Sequence, residues 1–218
     1  MMKASMIRCL VTAGPTREYF DPVRFMSNPS SGKMGYALAD AAKRSGWRVD
    51  LVSGPVALRP PTGVTVHEVE SGDQMYQAVS VLFEEVDILI MAAAVMDYRP
   101  VAYSAKKLKK STGSLTVTME PVVDIVKTIA ARKGRRLVVG FAAETDDLED
   151  NAKIKLAAKN LDFIVANPIN EPGYGFGSET NRVVVFSSDG TAEEIGPAAK
   201  SDIADTLIDR FAGALGGI

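Results

Sequence analysis

FMSNPSSGKMGYALADAAKRSG, Phe25 to Gly46, decides how the rest of the chain is read. Its second half is helix-periodic: Met34, Ala37, Leu38, Ala41 and Ala42 recur at i, i+3, i+4, i+7 and i+8 and form one apolar stripe. Ser30 or Ser31 can cap the start of this helix, Lys43 and Arg44 suit its negative end, and Gly46 can stop it. Gly32-Lys33, just ahead of the stripe, has the look of a turn that grips phosphate. A nucleotide P-loop requires Gly, four residues, then Gly-Lys-Ser/Thr; here Ser27 takes the first glycine's place and Met34 follows Lys33. A dinucleotide fingerprint requires its glycines tight against the first strand, and only Gly14 is so placed. What remains is NPSSGK at a helix start, where two hydroxyls, free amides and the helix dipole make an anion site. A Ser-capped helix after a loop accounts for the same letters.

Working outward, short apolar runs alternate with helix-periodic segments. RCLVTA (Arg8–Ala13), RVDLVS, VTVHEV, DILIMAA, RLVVGFAAE and DFIVANP read as strands, and DILIMAA is too apolar to have a wet face. SGDQMYQAVSVLFEEV, with Ser71 or Asp73 as cap, reads as a helix, as do Val123 to Ala131, TDDLEDNAKIKLAAKNL and the tail from Lys200 to Ala214. NRVVVFSSDGTAEEI has a hairpin pattern with its turn at Asp189-Gly190. Continuous apolar strands alternating with helices predict a Rossmann-like three-layer α/β sandwich, with a mainly parallel sheet and an antiparallel hairpin edge. Residues 1–218 are expected to form a single domain. Gly14–Ser31 and Val95–Ser114 read as long irregular loops that directly follow strands, where open α/β sheets bind ligands.

Composition narrows the function. A net charge of −2 over 218 residues argues against a partner as acidic as nucleic acid. One cysteine, Cys9, excludes an intrachain disulfide, and one histidine, His67, argues against a Cys/His zinc site. No apolar run reaches the ~18 residues of a membrane span and no signal peptide is read, so a cytoplasmic location is expected.

Seven stretches occur in this order: VTAGPTREYFDPVRFMSNPSSGKMGYALA, LVSGP, MAAAVMDYRP, KKLKK, VVGFAAET, KNLDFIVAN and GFGSETN. Together they resemble bacterial phosphopantothenoylcysteine synthetase, or phosphopantothenate–cysteine ligase, in many bacteria the C-terminal half of a bifunctional protein of coenzyme A synthesis. The likeness covers about residues 8–190, and the long first stretch is its most specific part. No flavin-binding decarboxylase half precedes the motifs, so a free-standing synthetase or a cut-out domain is expected.

The resemblance implies a reaction. A carboxylate attacks the α-phosphate of CTP, giving an acyl-cytidylate and pyrophosphate, and the amine of cysteine then displaces CMP. Such a site needs positive charge around a triphosphate and donors for developing oxyanions, and no protein nucleophile. By resemblance Asn28 holds the acyl phosphate and its carbonyl; a turn asparagine before proline would look the same. Arg24 matches a family arginine near the intermediate, and Ser30, Ser31 and Gly32, with Ala94, match the substrate side. Met91, Ala92, Ala93 and Asp97 match the nucleotide side, Asp97 on ribose hydroxyls. Lys107 aligns with the lysine that meets the triphosphate, on a loop that can act as a lid; alone, the run with Lys109 and Lys110 is equally a solvated surface.

Lys155 and Lys159, four apart on one helix face, match contacts to the outer phosphates. Ile154, Ala157, Ala158 and Leu161 are read as that helix's apolar face, with the lysines pointing away from the core. Val123, Asp124, Ile125 and Val126 match a base-pocket segment and Phe141 a pocket residue. Where many relatives carry Asn-Pro-Asp-Ile this chain has Pro121-Val122-Val123-Asp124-Ile125, and Met96 replaces a usual small residue before Asp97, positions that bear on CTP against ATP. Mg2+ is implied with the triphosphate, chiefly on phosphate oxygens. A homodimer is implied, and phosphopantothenoylcysteine decarboxylase is an expected partner. A reductase on the same fold would instead require a glycine turn at the first strand and a Tyr-x-x-x-Lys pair or its equivalent. A non-catalytic nucleotide-binding module is the other alternative.

Overall fold

The computed structural model describes residues 6–110, 112–144, 146–168 and 177–216. Ser111, Thr145 and the first two residues of GFGSETN, named above, lie outside them. The chain begins with β1 (Arg8–Ala13), β2 (Arg17–Tyr19), β3 (Phe25–Ser27), α1 (Lys33–Arg44), β4 (Arg48–Ser53) and β5 (Thr65–Glu68). It continues through α2 (Gly72–Leu82), β6 (Ile88–Met91), β7 (Tyr98–Pro100), β8 (Met119–Pro121), α3 (Ile125–Ala130) and β9 (Leu137–Glu144). It closes with α4 (Leu148–Ala158), β10 (Phe163–Pro168), β11 (Thr180–Ser187), β12 (Ala192–Ala199) and α5 (Lys200–Gly216).

Eight strands form one sheet in the order β12-β11-β10-β9-β6-β1-β4-β5. The six from β10 to β5 are parallel, and β11 and β12 add the antiparallel hairpin edge. Side-chain alternation sorts the two cores. Cys9, Val11 and Ala13 face α1 and α5, while Leu10 faces the layer of α2, α3 and α4. All four residues of β6 are buried, as a strand covered on both faces requires. Phe211 of α5 is fully buried and tilts over Phe163 of β10 at 5.3 Å between ring centroids.

Strand order reverses at β1. From it the chain runs outward through β4 to β5, and then returns to β6 on β1's other side. The crevice above the carboxyl ends of β1 and β6 is therefore the topological switch point. Two glycines let α1 lean into it. Gly32, not a serine, caps α1, at φ +77, and Ser30 Oγ accepts from the Gly32 amide at 3.3 Å. A Cβ on Gly35 would stand 2.6 Å from the Ala13 Cβ, so only glycine lets the helix pack this close to β1. The buried face of α1 accordingly includes Gly35, Tyr36 and Ala39, with Met34 and Ala37 only partly covered. At the start of α2, Ser71 and Gln74 form a reciprocal capping box.

The loop expected at Gly14–Ser31 carries both strands of a short hairpin, and the one expected at Val95–Ser114 carries β7, whose partner β8 lies just beyond it. β2 pairs with β3, and β7 with β8, each antiparallel, outside the main sheet. Three-residue strands leave no periodic signature, so these hairpins are invisible to pattern reading. They form an arm, joined where the Ser104 amide donates to the Phe20 carbonyl at 3.0 Å. Helix bounds also contract: α3 starts at Ile125 because Asp124 caps it through the Lys127 amide, and α4 runs only from Leu148 to Ala158. On α4 the apolar face differs from the expected one. Ile154, Ala157 and Ala158 are exposed, and Leu148, Ala152 and Leu156 pack inward. Lys155 and Lys159 therefore lie beside the cavity wall instead of pointing away.

Candidate active site

Above the switch point lies a cavity of about 500 Å³. Each wall comes from a different strand end. The segment after β3 supplies Asn28, Ser30, Ser31 and Gly32; β6 and its exit supply Met91, Ala92, Ala93, Ala94 and Asp97. Val123, Asp124, Ile125 and Val126 come from the start of α3, Phe141 from β9, and Lys155 and Lys159 from α4 and its end. Residues separated by more than a hundred positions are thus gathered because parallel strands place all their exits on one edge.

The Asn28 side chain bridges the two loops at the switch point. Its Nδ2 donates to the Ala94 carbonyl at 3.2 Å and to the Val95 carbonyl at 3.1 Å. Both amide hydrogens are so committed, and donation to a developing oxyanion requires release of one of them. Ala94 is also tied to the first loop by its amide to Gly14 O at 2.9 Å and by its carbonyl, which accepts from Thr16 N at 3.3 Å. Ser27 Oγ donates to the Thr16 carbonyl at 2.7 Å, and the Met96 amide donates to Thr16 Oγ1 at 2.9 Å. The Ala93 amide donates to Thr12 Oγ1 at 3.1 Å. Short polar side chains fix both loop backbones, so the crevice is held open by hydrogen bonds rather than by bulk.

The lysines of α4 meet carboxylates across the cavity wall. Lys155 Nζ lies 2.6 Å from Glu144 Oε1, a buried carboxylate at the end of β9, and Lys159 Nζ lies 3.1 Å from Asp124 Oδ2. A polyanion entering here can exchange these carboxylates for phosphate oxygens. Among the described residues no group of three or more His, Cys, Asp or Glu forms a metal cage. A magnesium ion carried on a polyphosphate, with phosphates as its main ligands, would require no such cage.

Arg24 and Lys107 are placed elsewhere. Neither is part of the cavity wall; both belong to the arm. Arg24 grips Asp21, whose side chain is fully buried, through Nε at 2.9 Å and Nη2 at 2.5 Å, and its Nη2 also donates to Leu108 O at 2.8 Å. Asp21 accepts in addition from the amides of Val23, Arg24 and Leu108. This donor set, led by the Arg24 guanidinium, holds the Asp21 carboxyl well below the usual carboxylate range. The lysine-bearing segment is thereby clasped to the first hairpin, and Lys107 itself is exposed. Tyr103 and Lys107 have Tyr-x-x-x-Lys spacing, but their segment is not helical and neither touches the cavity.

Sequence reading named Lys33 only as part of the NPSSGK turn, and it missed three further polar wall residues: Asn167, Asn181 and Lys200. Asn167 and Asn181 sit at the ends of β10 and β11 that open on the cavity, inside the quoted KNLDFIVAN and GFGSETN stretches. Lys33 and Lys200 are the first residues of α1 and α5. A lysine at the positive end of a helix runs against the dipole, and that is the signal that could have found them.

A doubly wound sheet with a polar, lysine-edged cavity at its switch point defines a Rossmann-like α/β domain. The chain belongs to the DNA/pantothenate metabolism flavoprotein C-terminal domain family, whose pattern matches residues 5–214. It is 46% identical over 204 residues to the coenzyme A biosynthesis bifunctional protein CoaBC of Bacillus subtilis (strain 168), covering 93% of this chain and 50% of that protein. It is 50% identical over 184 residues to CoaBC of Vibrio parahaemolyticus, covering 83% of this chain and 46% of that protein. The chain thus spans about half the length of the curated relatives it matches. A crystal structure of a CoaBC C-terminal domain superposes with TM-score 0.84 at 42% identity, covering 97% of both chains. A Cab2 histidine-to-alanine variant in complex with phosphopantothenate-cysteine shares the fold, with TM-score 0.79 at 16% identity, covering 97% of this chain and 88% of that one.

Proposed function

We propose that this domain is a ligase that joins 4′-phosphopantothenate to L-cysteine in coenzyme A synthesis, at the expense of CTP. The observation that carries this reading is the cavity itself. One crevice unites a nucleotide-type wall (Asp97, Asp124, Lys155, Lys159) with the NPSSG helix mouth and the Asn28–Ala94 bridge. The likeness to the CoaBC proteins supports the pathway.

In this reading the substrate carboxylate oxygen attacks the α-phosphorus of CTP. A new P–O bond forms, the bond to pyrophosphate breaks, and an acyl-cytidylate results. The cysteine nitrogen then attacks the acyl carbon; a C–N bond forms, the C–O bond to CMP breaks, and the amine loses a proton to solvent. Lys155 and Lys159 leave Glu144 and Asp124 for the outer phosphates, and Asp97 takes ribose hydroxyls. The Val123–Val126 segment reads the base, with Phe141 alongside. Asn28, freed from one carbonyl of the Ala94–Val95 pair, donates to the oxyanion, a role worth about 10²–10³ in rate at comparable sites. Magnesium, bound with the triphosphate, neutralises part of its charge.

Arg24 and Lys107 reach reacting atoms only through the arm. The arm exposes the large apolar side chains of Val23, Phe25, Met26, Tyr98, Val101 and Tyr103. We infer a homodimer in which this surface is covered and the arm supplies its basic residues near a cavity. The product is the substrate expected of a phosphopantothenoylcysteine decarboxylase partner.

The test is incubation with phosphopantothenate, cysteine and each triphosphate, with pyrophosphate release and product mass followed together. Phosphopantothenoylcysteine and CMP are expected with CTP. No release with either CTP or ATP would overturn the proposal in favour of a non-catalytic nucleotide-binding module.

A further inference from the structure

Two buried polar side chains beside the nucleotide wall take no part in the chemistry proposed above. Thr16 is fully buried and Glu18 is 5% exposed, and neither lines the cavity. The two are joined. The Thr16 hydroxyl hydrogen-bonds the Glu18 carboxylate, which also accepts from the Gly72 amide at 2.8 Å. Helix α2 does not depend on this carboxylate for a cap, since Ser71 and Gln74 already close its first turn. A carboxylate out of water is unfavourable unless donors face it. Burial and the nearby Asp73 push the Glu18 carboxyl up, and the Gly72 and Thr16 donors and the Arg99 charge oppose them. Those two donors show what the carboxylate holds: the start of α2 on one side and the first loop on the other.

The Thr16 hydroxyl in turn accepts from the Met96 amide at 2.9 Å. The same peptide unit presents the Val95 carbonyl, which accepts from Asn28 Nδ2 at 3.1 Å. One peptide of the β6 exit is therefore gripped by Asn28 through its oxygen and by Thr16 through its nitrogen, and hydrogen bonds in series through one amide strengthen each other. Asp97 follows that peptide directly. The base segment rests on the same point. The Val122 amide donates to the Asp97 carbonyl at 2.8 Å. A Cβ on Gly72 would stand 2.8 Å from Val122 Cγ1, 3.3 Å from Glu18 Oε1 and 3.5 Å from Val95 Cγ1, so all three side chains converge on one bare glycine. We propose that Thr16 and Glu18 are positioning residues: they lock the Val95–Asp97 exit to the start of α2 and so place Asp97 and the Val123–Val126 segment for the nucleotide. This rests on the ligase reading for the part those two segments play, and on the hydrogen-bond chain for the residues that place them.

Titration of the full chain with CTP and with ATP, each with magnesium, is followed by calorimetry for wild type, Thr16→Val, Thr16→Ser and Glu18→Gln. Thr16→Val keeps the branched shape and leaves the Met96 amide without its acceptor. Its affinity for the triphosphate that wild type prefers should fall about five- to fiftyfold. Thr16→Ser, which keeps the hydroxyl, should stay within about threefold of wild type. Glu18→Gln should weaken binding in the same direction, and it decides the matter if Thr16→Val does not fold. In steady-state pyrophosphate release the KM for the triphosphate should rise in step, while KM for phosphopantothenate and for cysteine should move less than about twofold. A merely structural role would lower Tm and leave the three KM values in their wild-type ratio. Unchanged triphosphate affinity in both Thr16→Val and Glu18→Gln, a Thr16→Ser as weak as Thr16→Val, or an equal rise in all three KM values overturns the proposal. A Thr16-dependent affinity in a chain that forms no product with either triphosphate sustains the positioning role and removes the ligase; product formation with affinity indifferent to both residues does the reverse.

Discussion

The sheet and the arm are held together by different physics. In the sheet, β1, β6 and β9 bury nearly every side chain, and two apolar layers of helices close over them. In the arm the strands are three residues long and large apolar side chains face outward. There the organising contacts are polar: Asp21 with Arg24 and the Leu108 amide, and Glu18 with the Gly72 amide at 2.8 Å. The comparison teaches where stability and function separate. Burial holds the frame that aims the strand exits, and a few directional bonds hold the segment that carries Arg24 and Lys107.

Substitutions should expose that division. The largest effect belongs to the frame: Phe211→Ala empties a fully buried site and should cost about 3–5 kcal/mol in denaturant unfolding. Next is the hinge between frame and arm. A Cβ on Gly54 would stand 1.9 Å from the Pro15 carbonyl oxygen, so Gly54→Ala should cost about 1–3 kcal/mol and displace the Pro15–Thr16 backbone that fixes the loops. A wild-type Tm in that variant would break the comparison.

Asp21→Asn should alter the arm more than the frame. Tryptic cleavage at the run from Lys106 to Lys110 should accelerate, and kcat should fall further than KM rises, while denaturant unfolding moves little. The pH dependence gives its sign. The folded pKa of Asp21 is depressed, so its contribution is present above the ordinary value of 3.8 and is lost as pH falls below it. Wild type should therefore lose stability in that acid range more steeply than Asp21→Asn. Glu18 acts in the opposite sense. Burial raises its pKa, so the folded chain takes up this proton first, and stability from this group rises as pH falls toward the ordinary value of 4.5. The smallest change in stability is expected from Lys107→Gln, an exposed position, within about 0.5 kcal/mol. Pyrophosphate release should slow all the same; equal losses of folding and rate would contradict its role.

Much of the frame was legible in the letters. Arg8–Ala13 and Arg48–Ser53 read as strands and are strands, and Asp189-Gly190 marks the edge hairpin, because burial on fixed faces imposes a period. The α1 stripe was legible only in part, since Gly35 packs for want of a side chain and leaves no apolar mark. On α4 the apolar letters misled: Ile154 is 64% exposed, because the helix turns Leu148, Ala152 and Leu156 to the sheet and sets its lysines beside the cavity. The quoted motifs brought Asn28, Asp97 and Lys159 to attention, and the wider family likeness added Asp124 and Lys155; Lys200 lies beyond residue 190, where that likeness ends.

By itself the sequence determined the alternation of strands and helices, and with it a parallel sheet whose exits share one edge, since apolar periodicity is a local consequence of burial. Only the tertiary structure decided which exits meet, that Asn28 spends its amide on Ala94 and Val95, that Arg24 faces Asp21, and that lysines from both helical layers edge one cavity. Those facts depend on strand order and on contacts between distant residues, and no local period encodes either.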